Sequence, residues 1–443
     1  MGMSYHRRLQ LRMAAEGRPV RVGLVGAGQM GTGLVAQVER IAGMQVVAIA
    51  DVRLEQADVA FARAGAGEPM HGDDPAKLAE AVLAGRRVAV PDARLLTALP
   101  VDVIVEATGV PDVGAEVAFG ALLAGKDVAL LNVETDVTIG YLLGSLARRA
   151  GLVYTVCRGD EPTEAKKLVD YARDLSFEVI CAGKGKNNPM DRTATPGSLA
   201  AEAAAKRMNP KMLCSFVDGS KAMIEMAALA NATGLEVSTR GMYGPRTTVP
   251  ELASVFRPRA DGGILDRAGV VDYCTGPVAP GVFVTVRSDD QTIVDEMSYL
   301  SMGPGPYFAL YRPYHLASIE APLSVAEAVL DRTASLQPMG WQAEVCAAAK
   351  RPLRRGETID GIGGGTVYGM IDSAATARAE GLVPIGLLSG ATVLRDVPQG
   401  AVLTAADVQI DETATIAVLR RLQDRLLAGE LAAGELGPTP AAA

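Results

Sequence analysis

An apolar run, Arg21-Val-Gly-Leu-Val25, breaks into Gly26-Ala-Gly28-Gln29-Met30-Gly31-Thr-Gly33 and continues as a helical pattern. Glycines at the first, third and sixth positions between a strand and a helix leave few folds open. A tight turn of bare backbone is how a βαβ unit receives a pyrophosphate. Gly26 allows the turn, Gly28 lets backbone approach the phosphates, and Gly31 lets helix and strand pack closely. The phosphates then lie at a helix N-terminus, where amides and the helix dipole favour anions. Gln29 and Met30 belong to the same turn. Asp51 follows Gly31 by twenty residues and closes a second apolar run, Met44-Gln-Val-Val-Ala-Ile-Ala50, where a carboxylate that bonds an adenosine ribose is expected. The pattern predicts a bound nicotinamide dinucleotide, NADPH or NADH. Asp51 favours an unmodified ribose, whereas Arg53 can receive a ribose phosphate, and the reading leans weakly to NADPH.

Further apolar runs near 102–106, 127–132 and 152–157 alternate with alanine-rich helical segments such as 112–125. That rhythm predicts an α/β fold with a doubly wound parallel sheet of Rossmann type. Glu106-Ala-Thr108-Gly109 and Asn132-Val-Glu134-Thr-Asp136 end two of these runs, at the strand edge where open sheets bind ligands, so Thr108, Gly109, Asn132 and Glu134 are expected beside the nicotinamide. Gly120-Ala-Leu-Leu-Ala-Gly125-Lys126-Asp127 nearly spells a phosphate-binding loop. Asp127 replaces the required hydroxyl residue and the glycine follows a helix, so a helix C-cap is the better reading.

The pattern divides into an N-terminal extension (1–19), a dinucleotide-binding domain (20–155), a central α+β domain for catalysis and substrate (156–340), a small β-rich domain punctuated by glycine and proline (341–430), and a disordered tail (431–443). A net charge of -8 over 443 residues argues against a nucleic-acid surface or a polybasic membrane contact. Small anionic substrates remain open, because local lysines can outweigh the global sign. Five scattered cysteines without a CxxC pair point to a reduced, cytoplasmic chain. The N-terminal charges interrupt any signal-peptide core, and no run of about eighteen apolar residues offers a membrane span.

Three clusters carry candidate chemistry. Lys184, Lys186 and Asn187 lie in Ala182-Gly-Lys-Gly-Lys-Asn-Asn-Pro189 after the strand Phe177–Cys181, and read as a glycine-loosened loop able to clamp a phosphate or carboxylate. Asp218 and Lys221 open a helix on which Glu225 shares a face with Lys221. There Lys221 would protonate or hydrogen-bond a carbonyl under reduction, with a carboxylate holding it in place. Asp160 and Glu161, adjacent carboxylates after the last strand, could bind Mg²⁺ or Mn²⁺ or form a solvated turn. His315 is within reach of a substrate role, with a structural role the stronger reading.

With these residues in hand, the chain resembles the homoserine-dehydrogenase-like oxidoreductases that carry a C-terminal SAF domain, the group containing the DXR-like (DRL) deoxyxylulose-phosphate reductoisomerase. The likeness runs from about 20 to 425 and is most specific in Gly183–Pro189, Phe216–Lys221, Glu225-Met226 with Asn231–Gly234, and Arg240-Gly-Met242 with Gly244-Pro245. Pro384–Gly390 and Asp396–Leu403 look like the SAF segment. The resemblance implies an NADPH-binding domain, a central catalytic and dimerising domain and hence a homodimer, and an SAF domain. It also likens Asn132–Glu134 and Asp160-Glu161 to nicotinamide-side and metal-side segments of the ordinary reductoisomerase. Homoserine dehydrogenases space their catalytic Asp and Lys one residue further apart than Asp218 and Lys221. The expected activity is therefore reductoisomerisation of a phosphorylated sugar in isoprenoid precursor synthesis. The alternatives are a dehydrogenase of another sugar, polyol or amino acid, and a cofactor-binding sensor without turnover.

Overall fold

The computed structural model describes residues 3–431, so the expected tail lies outside the described residues apart from Leu431. The chain forms two compact units. Among the described residues, the first comprises 3–160, 316–337 and 414–431, and the second 161–315 and 338–413.

The first unit is built on a seven-stranded sheet of β1 (Val20–Val25), β2 (Met44–Ala50), β3 (Met70–His71), β4 (Val88–Val90), β5 (Val103–Glu106), β6 (Asp127–Leu130) and β7 (Tyr154–Val156). Its order is β3-β4-β2-β1-β5-β6-β7 and every pairing is parallel. Helices between the strands cover a core of Val, Ile, Leu and Ala, as strands buried on both faces require. β3 and β4 escape a reading of the sequence because two or three residues show no periodicity.

Three segments distant in sequence complete this unit. Helix Tyr5–Glu16, within the expected N-terminal extension, buries Leu9 in the core. Helix Ala317–Ala326 adds Ala321, Val325 and Ala326 to the same core. A Cβ on Gly33 would stand 2.7 Å from Ser318 Oγ, so the fourth glycine of the turn region makes room for this later helix. Helix Thr415–Leu427 packs on helices Pro111–Leu123 and Val133–Arg149. By contacts, then, residues 316–337 and 414–431 go with the dinucleotide-type sheet rather than with the domains that the sequence pattern assigns them. The apolar faces they bury are complementary to that sheet's helices. Gly125, at φ +71, follows helix 111–123 as a C-cap glycine, and Lys126 Nζ donates to Leu99 O at 2.8 Å.

The second unit holds a mixed five-stranded sheet, ordered β12-β11-β8-β10-β9, of β8 (Glu178–Lys186), β9 (Glu236–Val237), β10 (Val270–Thr275), β11 (Val282–Arg287) and β12 (Tyr307–Arg312). Helix Ser220–Thr233 is buried along nearly its whole length. It packs on β10 and on the antiparallel pair β13 (Ala343–Ala349) and β14 (Val367–Ser373). Asn231 fixes that contact, its Oδ1 accepting from Gln342 N at 2.7 Å and Ala343 N at 2.9 Å. A short pair, β15 (Thr392–Val393) with β16 (Val408–Gln409), completes the small β-rich region.

Candidate functional site

In the first unit, the glycine turn divides its labour. Gly26 sits at φ +90, and a Cβ on Gly31 would lie 2.0 Å from Gly26 O, so both positions are fixed by the turn itself. Gly28 is exposed, and a Cβ there would meet nothing within 4 Å. That open side is where a ligand's phosphates can reach backbone. Gly28 also begins helix Gln29–Val38 with no side-chain cap, which leaves first-turn amides for an anion. Gln29 is exposed and Met30 half-buried. Asp51 Oδ2 accepts from Ala27 N at 2.8 Å and its Oδ1 from Arg53 N at 2.9 Å, tying the turn to the end of β2. Arg53 is exposed beside it. Gly28→Val should accordingly keep its melting temperature and lose dinucleotide affinity by calorimetry. Gly31→Ala should lower the melting temperature, and the reverse pattern would count against this division.

At the ends of β5 and β6 the expected residues take different parts. Thr108 donates through N (2.8 Å) and Oγ1 to Glu106, and Gly109 is exposed at φ +68. Glu106 is fully buried, and desolvation pushes its carboxyl up to about 7. An acid closing an apolar run was its signal in the sequence. Asn132, expected to face the nicotinamide, is buried and committed to the scaffold. Its Nδ2 donates to Val110 O at 3.0 Å, and its Oδ1 accepts from Thr135 N at 3.2 Å as the helix N-cap. Glu134 lies buried in the first turn of that helix. Asp136 follows, buried, accepting from Tyr154 OH at 2.9 Å, and burial pushes it up to about 7.

In the second unit the glycine-lysine segment is part of β8 and not a loop. The strand's two-residue period puts Lys184 and Lys186 on one face and Gly183 and Gly185 on the other. A Cβ on Gly183 would meet Asp272 O at 2.0 Å, and one on Gly185 would meet Ala279 N at 2.2 Å. The glycines therefore serve close packing, and Asn187 and Pro189, past the strand end, are exposed.

Lys184 is buried between two carboxylates, donating to Glu161 Oε1 at 2.6 Å and to Glu225 Oε2. Burial alone would lower its pKa, but Glu161 and Glu225 more than offset that and hold it above the ordinary value. The clamp expected of Lys184 is thus spent on protein carboxylates. Glu161, expected with Asp160 to hold a divalent cation, accepts from Lys184 and lies 3.2 Å from His315 Nε2, and oxygens of Asp160, Glu161 and Glu225 lie within 4.8 Å of one another, a grouping that could hold a metal ion. Asp160, the preceding residue, is buried. Lys221 Nζ stands 4.0 Å from Glu225 Oε1, four residues on, as the shared helix face requires. Asp218 does not take part. Its Oδ2 pairs with the buried Lys350 Nζ at 2.7 Å, and its Oδ1 accepts from Ser220 N at 2.8 Å. Lys350 is further held by Ala194 O at 2.7 Å and Gly364 O at 2.6 Å, and its Nζ lies 3.2 Å from Cys214 Sγ. All five cysteines are buried and free.

Lys186 donates to the carbonyls of Asn188 and Pro189. Burial, helped by Lys184, lowers its pKa to about 8. Between pH 8 and the ordinary lysine value of 10.5, the unfolded chain holds a proton that the folded chain has released, so stability should rise with pH across that window. Lys186→Met should remove this rise, which urea denaturation at pH 8 and pH 10 would show.

The cluster of Lys184, Lys221, Glu161, Glu225 and His315 can hold, give and take protons in a partly dry setting. It lies within a stretch that identifies the chain's chemistry. Residues 159–321 match the family described as the catalytic domain of oxidoreductase DRL. The chain is an oxidoreductase. Residues 344–409 match the SAF domain. Curated proteins gave no match. Among solved structures, a probable dehydrogenase from Thermotoga maritima is 16% identical over 72% of this chain and 90% of that one, with a TM-score of 0.40. A putative myo-inositol dehydrogenase from Sinorhizobium meliloti 1021 is 13% identical over 71% and 90%, with a TM-score of 0.41. The scyllo-inositol dehydrogenase from Lactobacillus casei, solved with NAD(H) and scyllo-inositol, is 13% identical over 61% and 74%, with a TM-score of 0.36. Among the described residues, no helix is long and apolar enough to cross a membrane.

Proposed function

We propose that the chain is an NAD(P)-dependent oxidoreductase that interconverts a carbonyl and a hydroxyl group on a small polyhydroxy substrate. The observation that carries the reading is Lys221, placed by helix geometry against Glu225 in a cluster where Lys184 bridges Glu225 and Glu161. The glycine turn fits a dinucleotide, since Gly28 leaves open the space that a Cβ would fill and Asp51 directly follows β2. Gly26, Gly28, Gly31 and Asp51 would hold it. When bound, it supplies the hydride donor or acceptor.

Lys221 then donates a proton to the substrate oxygen in reduction and takes it back in oxidation, and Glu225 keeps the ammonium in place. Removing the negative charge that develops on the oxygen is worth most where water is excluded. Lys186, on the same strand face as Lys184, suits attraction of an anionic or polyhydroxy substrate at pH values below about 8, where it keeps its charge. Simple carbonyl reduction is favoured over a metal-assisted skeletal shift, because Lys184 and Lys221 already offset two of the three clustered carboxylates Asp160, Glu161 and Glu225.

The test is NADPH and NADH oxidation against ketoses and phosphorylated ketoses, deoxyxylulose phosphate included, with the reverse reaction run on polyols. Activity on a ketose or polyol, unchanged by Mn²⁺ or chelator, is expected. Turnover confined to deoxyxylulose phosphate and dependent on Mn²⁺ would restore the reductoisomerase reading. In the same assay Arg53→Ala should weaken NADPH more than NADH, and equal effects would remove the lean towards NADPH.

A further inference from the structure

Helix Thr415–Leu427 buries Ile416, Ala417 and Leu419 against the first unit, and position 423 continues that stripe. An apolar side chain would complete it. The chain has Gln423 there, with no exposed surface. Its Oε1 accepts from Leu142 N at 3.0 Å, and its Nε2 donates to Thr138 O at 3.1 Å. Thr138 and Leu142 are the pair that a helix joins by its own backbone bond, so the amide bonds both ends of one step in the ladder of helix Val133–Arg149.

One further bond braces the same place, and another ties the start of helix 415–427 to its other neighbour. Arg420 Nη1 donates to Thr138 O at 3.3 Å, and Ile416 N donates to Asp112 Oδ1 at 3.3 Å on the neighbouring helix. One turn back, Thr138 Oγ1 donates to Glu134 O at 2.7 Å, and Glu134 follows the Asn132 cap at the end of β6. The amide therefore reaches the first turn of the helix through a single threonine. A buried amide is costly to keep unless both its ends are bonded, and a packing role alone would be met by leucine.

We propose that Gln423 is a positioning residue for the nicotinamide half of the dinucleotide, acting through the first two turns of helix 133–149. This rests on the dinucleotide reading above. In a doubly wound sheet the two mononucleotide halves lie on opposite sides of the central strand. The glycine turn and Asp51 serve the β1–β2 side, and the residues that end β5 and β6 serve the other. Gln423 acts on the second half and leaves the first alone.

Calorimetric titration of the full chain with NADPH, NADH, ADP-ribose and its 2′-phosphate separates the halves, because the last two lack nicotinamide. Gln423→Leu is expected to raise Kd for the whole dinucleotide about tenfold, the scale of one lost buried hydrogen bond. ADP-ribose affinity should stay unchanged. If Gln423→Leu does not fold, Gln423→Met, of similar length, takes its place. Equal loss of both ligand types would make Gln423 a general structural residue and overturn the proposal, as would no change in either. A wild type that binds neither ligand would instead bring down the dinucleotide reading itself.

Discussion

Replacing Lys221 by methionine is expected to lower kcat on the order of 10²–10⁴-fold, the contribution of a positioned proton donor. The melting temperature should move little. Methionine keeps the unbranched apolar stem and the helix propensity of the native residue, and the lost partner, Glu225, still has Lys184. Dinucleotide affinity should be nearly unchanged, because the glycine turn is not touched. Rates measured across pH should also lose a limb in the variant, since the group that delivers the proton is gone. Near-normal turnover would mean that Lys221 forms only a structural ion pair and that the proton comes from elsewhere in the cluster.

Lys184→Met should act on the fold before it acts on the chemistry. It leaves Glu161 and Glu225 buried without the ammonium between them, and removing one side of a buried ionic group costs about 3–5 kcal/mol. The cost should depend on pH with a definite sign. In the wild type, Lys184 has a raised pKa, so its contribution is fully present below the ordinary lysine value and is lost only as pH rises through the higher folded value. In the variant, the desolvated carboxylates bind protons more tightly in the folded than in the unfolded chain. Stability should then fall as pH rises from about 5 to 8. Denaturant curves at these two pH values would show it. A Lys184→Met, Glu225→Gln double variant should recover part of the loss. A single variant as stable as wild type at pH 8 would contradict the buried triad.

What the sequence made legible was what is local. The turn from Gly26 to Gly31, the strand ending at Asp51 and the Lys221–Glu225 spacing each depend on a few consecutive residues, and each took the shape that its spacing required. Lys184 was misplaced for the opposite reason. Its partners lie 23 and 41 residues away, so nothing nearby signalled that two carboxylates would claim it. Glu161 read as a metal ligand because Asp160 precedes it, and the structure adds Glu225 to that pair from a distant helix. Gly183 and Gly185 read as loop residues because glycine usually marks a turn. The alternation with lysine was nevertheless a strand period, and the glycines answered to Asp272 O and Ala279 N on neighbouring segments. Asp218 looked catalytic beside Lys221, while its partner Lys350 arrives from the SAF-matched segment. The return of helix 415–427 to the first unit was likewise invisible, although a lone buried glutamine on an apolar stripe was a clue.

The central claim, that Lys221 protonates a carbonyl reduced by a nicotinamide, is tested most directly by isotope transfer. NADPH deuterated at either face of C4 would be incubated with the ketose panel and wild-type protein, Lys221→Met and Gly28→Val, and the products examined by mass spectrometry. Deuterium on the new carbinol carbon is expected with wild type, from one face only, with both variants strongly reduced. Wild-type protein that binds NADPH yet transfers no deuterium to any substrate would contradict the account and favour a sensor, and full transfer by Lys221→Met would contradict the role given to that lysine.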